Sequence, residues 1–117
     1  MQVIRATARP TLVRRAPLPT LQRLVDADVG ARATTILVNQ FTAGQRVPDH
    51  THDVEEVIVV TAGTCIVALA DTEDVLAAGD AVVVPPETVH SIRHVGDLPA
   101  TVIAVLATAD AVLTTPH

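Results

Sequence analysis

The sequence predicts an all-β domain built as a sandwich or barrel. Three observations carry this. Short runs rich in Val, Ile and Thr recur along the whole chain; Gly, Pro and Asp punctuate them at close spacing; and no window places apolar residues at helical spacing between a cap and a stop. Many short strands leave edges that must be covered, and closing or doubling the sheet covers them.

In chain order the expected strands are residues 34–41, 54–61, 64–70, 74–76, 81–84, 90–95 and 100–107. Residues 21–25 read equally as a strand or a brief helical turn. Turns are expected at Ala43-Gly44, Ala62-Gly63, Asp71-Thr72-Glu73, Ala78-Gly79-Asp80, Pro85-Pro86 and Gly96-Asp97-Leu98-Pro99. Residues 1–117 form one expected domain, with 1–20 a basic N-terminal arm. At 49% hydrophobic and 18% charged residues the chain has enough apolar surface to build a core, which argues against disorder. No apolar run reaches the roughly 20 residues of a membrane span, so no membrane partner is expected.

Charge is unevenly placed. Arg5, Arg9, Arg14, Arg15 and Arg23 all precede the first acid, Asp26. An organellar transit peptide would share that arginine-rich, acid-free start, but this one lacks serine and repeats proline. The expectation is instead an arm packed on an acidic body, its own or a partner subunit's, in a homodimer. Nucleic-acid binding is excluded by a net charge of −5 with one Phe, no Tyr and no Trp. The start carries arginines and prolines where a secretory signal needs an apolar stretch, and the lone Cys65 has no internal partner, so a cytoplasmic location is expected.

Four of the five histidines fall in two short segments, His50-Thr51-His52-Asp53-Val54-Glu55-Glu56 and His90-Ser91-Ile92-Arg93-His94. If the first is extended, His50, His52 and Glu56 point to one side while Asp53 and Glu55 point to the other. His90 shares a parity with Ile92 and His94, and completes a ligand set if its strand faces the first. Three imidazoles and a carboxylate suit one divalent transition metal ion (Fe, Mn, Ni, Co, Cu or Zn) rather than Ca or Mg.

The spacing resembles the two motifs of the cupin superfamily. Gly44, five residues, His50, one, His52, three, Glu56, six, Gly63 resembles the first; Gly79, five residues, Pro85, one, Glu87, two, His90, three, His94 resembles the second. Glu87 stands where the pattern has Gly, and His94 where it has Asn. The resemblance implies a small single-domain metal-binding cupin with a double-stranded β-helix (jelly-roll) barrel, commonly dimeric, in which His50, His52, Glu56 and His90 are the metal ligands. A non-glycine at 87 suggests a right-handed or extended backbone there. His94 is expected on the inner face, as a hydrogen-bonding partner to a ligand or as a proton carrier. Arg46 would hold a substrate carboxylate or stand solvated. Cys65 reads as a small core residue, Glu55 as a solvated neighbour and His117 as a frayed end.

Such a site keeps coordination positions open, which favours an enzyme. The expected activity is an oxygenase, dioxygenase-like oxidoreductase chemistry on a small, largely apolar molecule with a carbonyl, enol or carboxylate group. Alternatives are a metal-dependent isomerase, cyclase or lyase, or a non-catalytic binding or sensing module. With no lysine, Schiff-base chemistry is excluded, and with no Trp or Tyr there is no stacking platform for a sugar. The expected pocket is aliphatic, with Phe41 a candidate lining residue and Gln40, Thr42, Arg46 and His94 as its polar groups.

Overall fold

The computed structural model describes residues 1–112. It has ten strands: β1 (Thr11–Leu12), β2 (Thr20–Val25), β3 (Thr35–Phe41), β4 (Arg46–His50), β5 (Glu56–Ala62), β6 (Thr64–Leu69), β7 (Thr72–Ala77), β8 (Ala81–Val84), β9 (His90–Val95) and β10 (Ala100–Leu106). Single 3-10 turns occur at Ala6–Ala8 and Ala27–Val29. No described helix is long and apolar enough to cross a membrane.

The strands form two antiparallel sheets, ordered β1-β2-β3-β10-β5-β8 and β4-β9-β6-β7. The hydrogen-bond ladder does not close into one ring, so the edge problem is solved by doubling the sheet. Alternation follows the pleat: along β10 every second residue from Ala100 to Leu106 is buried, and β3 and β5 repeat the pattern from Thr35 and Glu56. Phe41, Ile58, Val60, Cys65, Val67 and Ile92 meet in the main core, while Leu21, Leu37, Ala104 and Leu106 form a second cluster toward one end. Gly63, at the β5–β6 turn, has φ +72° and lies against the Pro99 carbonyl, leaving no room for a Cβ.

The seven expected strands are all present, with boundaries shifted by up to two residues, and residues 21–25 lie in a strand. Two strands escaped the sequence reading. β1 has only two residues, and β4 contains Pro48, which demotes a run on propensity but is tolerated on an edge strand. The expected Asp71-Thr72-Glu73 turn is shorter, because Leu69 pairs with Thr72 and only Ala70 and Asp71 remain in the loop. The expectation for Glu87 is overturned: its φ is +63°. It therefore holds the left-handed backbone that glycine adopts freely, and its N–H donates to the His52 carbonyl at 2.7 Å.

The basic arm packs on its own chain. The Arg9 guanidinium reaches the Arg23 carbonyl and the Asp26 carboxylate, at 2.8 and 3.2 Å, and Arg14 reaches the Pro19 carbonyl and Asn39, each at 3.0 Å. Asp26 is buried, which by itself would raise its pKa. Hydrogen bonds from Arg23 and the Asp28 amide, with the charges of Arg9 and Arg23, outweigh that and hold it below the usual carboxylate value. His117 lies outside the described residues.

Candidate metal centre

The site lies where the two sheets are joined. β4 ends on His50 in the four-stranded sheet, the chain crosses through residues 51–55, and β5 begins on Glu56 in the six-stranded sheet. His52 sits in that crossover. β9 begins on His90, paired directly with His50. The segment 50–56 is thus a strand end and a crossover rather than one strand, yet it keeps the expected parity: His50, His52 and Glu56 are part or fully buried, and Thr51, Asp53 and Glu55 are exposed. The amide of Glu87 clips the loop leading to His90 onto the crossover that carries His52. That bond gives the left-handed conformation at Glu87 its purpose.

One ligand atom from each of His50, His52, Glu56 and His90 can be chosen so that all lie within 4.8 Å of one another. Ligands on opposite sides of a transition ion with bonds of about 2.1 Å would be about 4.2 Å apart, so the spread fits one ion with slight contraction. The ring hydrogen bonds agree. His50 Nδ1 lies 2.8 Å from the Pro48 carbonyl and His90 Nδ1 2.9 Å from the Thr88 carbonyl. A carbonyl only accepts, so each Nδ1 carries the proton and each Nε2 is directed to the cluster. His90 Nε2 is 2.7 Å from Glu56 Oε1, and His52 Nε2 is 3.8 Å from the same oxygen. The proton shared by His90 and Glu56 marks where a cation fits.

Electrostatics divide the histidines. Burial lowers the pKa of His50 and of His52, so both rings favour the neutral, lone-pair-bearing form. For His90 burial also pulls down, but the hydrogen bonds with Glu56 and Thr88 and the charges of Glu56 and Asp49 outweigh it and raise the pKa. A cleft of about 290 Å³ opens on His52, lined by Val54, Leu106, Ala111 and Val112 and by the polar Thr51, Asp53, Thr108 and Asp110.

Arg46 and His94 stand outside the cluster. Sequence parity places Arg46 with His50, but a register shift between Val47 and His50 reverses it: Val47 pairs with inward Ile92, while Arg46 pairs with exposed Arg93 and is itself exposed. His94 is inward and buried as expected, yet four residues along a strand is roughly 13 Å from His90. Its Nε2–H donates to the Leu98 carbonyl at 2.6 Å. The expected pocket groups Gln40 and Thr42 are exposed on the surface, and Phe41 is wholly buried in the main core. Cys65 is also buried there and is no part of the ligand cluster, and burial pushes its thiol up to about 11. The groups the sequence could not name are backbone groups, the Pro48 and Thr88 carbonyls and the Glu87 amide, because orientation by main chain leaves no residue signature.

Comparison with known proteins agrees with the fold. Residues 38–106, more than half the chain, match the Cupin domain family. The chain belongs to the cupin family. Among solved structures this cupin is similar to the polyketide cyclase RemF from Streptomyces resistomycificus, with 19% identity and a TM-score of 0.78 over 99% of this chain and 89% of that one. It is similar to KdgF from Halomonas sp., with 16% identity and a TM-score of 0.76 over 91% and 94%. It also resembles an oxalate decarboxylase of Bacillus subtilis with Mn(II) centres, at 14% identity and a TM-score of 0.81, covering 92% of this chain but only 29% of that one. At these identities the likeness shows the fold. No curated protein matches the sequence.

Proposed function

We propose that this cupin is a mononuclear metal-dependent enzyme acting on a small, largely apolar molecule with a carbonyl, enol or carboxylate oxygen, and that its first activity class is an oxygenase of the dioxygenase type. The observation that supports this is the convergence of three imidazoles and one carboxylate beside an open cleft. When bound, a divalent transition ion would supply Lewis-acid polarisation of a substrate oxygen. The chain's own part is to hold and to orient. The Pro48 and Thr88 carbonyls fix the rings of His50 and His90, Glu56 supplies negative charge, and Val54, Leu106 and Ala111 offer apolar contact to the substrate. The unpaired thiol of Cys65 fits a reducing, cytoplasmic setting.

A second reading, oxygen-independent isomerase, cyclase or lyase chemistry, is favoured by the cyclase and decarboxylase among the similar structures. One experiment separates the two. Protein loaded anaerobically with Fe(II) is screened against small diketones, catechols and thiol acids for oxygen uptake and product. Substrate-dependent uptake is expected, conversion without oxygen selects the second reading, and binding without turnover assigns a non-catalytic module. A loaded protein that neither binds nor converts any of them contradicts the proposal.

A further inference from the structure

Two sheets laid face to face leave a seam wherever their edge strands do not pair. β7 ends the four-stranded sheet, β8 ends the six-stranded one, and no ladder joins them. By register Leu69 on β6, Thr72 and Asp74 on β7 and Val82 on β8 share the inward face with buried Val67 and Ile58, yet none of the four is itself buried. The core is therefore open along this seam. Val67, Leu69, Leu76 and Val82 give it an aliphatic floor, in a cavity of about 190 Å³. A dry aliphatic cavity of about 150 Å³ is enough to take a benzene ring. The polar groups of the rim are engaged: the Thr72 hydroxyl donates to the Leu69 carbonyl at 3.1 Å, Asp74 accepts from the Val75 amide at 2.8 Å, and Glu73 pairs with Arg93 at 3.2 Å.

The seam abuts the ligand cluster. Leu69 is the ladder partner of His90, which puts their Cβ atoms about 5 Å apart on one face. Val84 is the partner of Glu56, and Val82 lies on the same face two residues along, about 7 Å away. The seam thus approaches from the side of His90 and Glu56, whereas the cleft approaches from His52, where Thr51, Asp53, Thr108 and Asp110 interrupt the aliphatic lining. We propose that the seam between β7 and β8 holds the apolar portion of the substrate, a neutral alkyl, alkenyl or small ring group whose oxygen lies beside His90 and Glu56. This rests on the reading of the cluster as the centre of a metal-dependent enzyme and adds where the rest of the substrate is held. Glu73 and Asp74 at the rim disfavour a chain that ends in a carboxylate.

A series of diketones tests this by calorimetric titration of the Zn(II)-loaded full chain. Acetylacetone supplies the oxygens alone, and replacing one of its methyls by ethyl, propyl and butyl extends the apolar end. Affinity is expected to rise about fourfold with each methylene. Val82→Phe, which fills the seam, should abolish that rise while zinc stoichiometry stays at the wild-type value; Val112→Trp, at the other cleft, should preserve it. Should Val82→Phe fail to fold, Thr72→Trp on the exposed rim closes the same seam. A flat series in the wild type overturns the proposal, as does a rise that survives Val82→Phe or is lost in Val112→Trp. An oligomer that Val82→Phe dissociates in sedimentation would make a second copy the occupant and overturn it too. If the protein holds zinc but binds no diketone, the enzyme reading fails separately, and butyl methyl ketone added to metal-free protein decides the seam. Amide NMR shifts at Val67, Leu69, Leu76 and Val82 uphold it, and their absence overturns it.

Discussion

Strand β9 carries a buried histidine at each end, and the two ends have opposite chemistry. His90 meets Glu56 at 2.7 Å with His50 and His52 alongside, in a group of atoms that could hold an ion. His94, on the same face four residues on, pairs across the ladder with Cys65 and gives its Nε2–H to a backbone carbonyl. Residue type and facing are the same. What differs is the chain brought to each end: a crossover between sheets delivers His52 and Glu56 to His90, whereas the Gly96–Pro99 turn delivers only the Leu98 carbonyl to His94. A histidine becomes a candidate ligand through the elements converging on it.

The comparison breaks most severely if substitutions at the two ends have the same effect. His90→Ala should reduce metal affinity at least 100-fold by calorimetric titration while leaving the fold in place. At the other end Phe41→Ala should cost about 3–5 kcal/mol in urea unfolding and leave one ion per chain wherever the variant is folded. A stability loss at His90→Ala as large as that at Phe41→Ala would erase the distinction.

The apolar end also has its own pH signature. Cys65 is an acid whose folded pKa, about 11, is raised above its unfolded value of about 8.5. The unfolded thiol therefore releases its proton first, and folding stability should decline as pH rises from about 8.5 toward 11. Cys65→Ala should flatten that decline, measured as the urea midpoint against pH. Below pH 8 the native thiol should resist alkylation until the chain unfolds.

His94→Asn tests the comparison on the strand itself. It should cost about 1 kcal/mol through the bond to the Leu98 carbonyl and change metal affinity by less than about threefold. A 10- to 100-fold loss, the range for a residue that supports a ligand directly, would show that His94 belongs to the metal end. The smallest effect is expected at Glu87→Gly, which removes the strain of a left-handed non-glycine. Stability should rise by about 0.5–1 kcal/mol in the same urea assay with the His52 clip retained.

Periodicity and turn residues made the strands legible because alternation and punctuation are local properties. The ligand set was legible because three histidines and a glutamate at fixed spacing retain their parity even where the strand stops. What escaped depends on pairing between distant segments. The register shift in β4 turned Arg46 outward, two-residue β1 exists only through β2, and Glu87 takes a positive φ because its amide serves His52.

Metal stoichiometry is the most direct test of the central claim. Purified protein reconstituted with a first-row divalent ion should bind one per chain, and the His50→Ala, His52→Ala double variant should bind none. Affinity should fall as pH drops below about 6.5, as protons compete for the imidazoles, His90 first because its pKa is raised. Sub-stoichiometric metal after reconstitution, or equal occupancy in the double variant, would contradict the account.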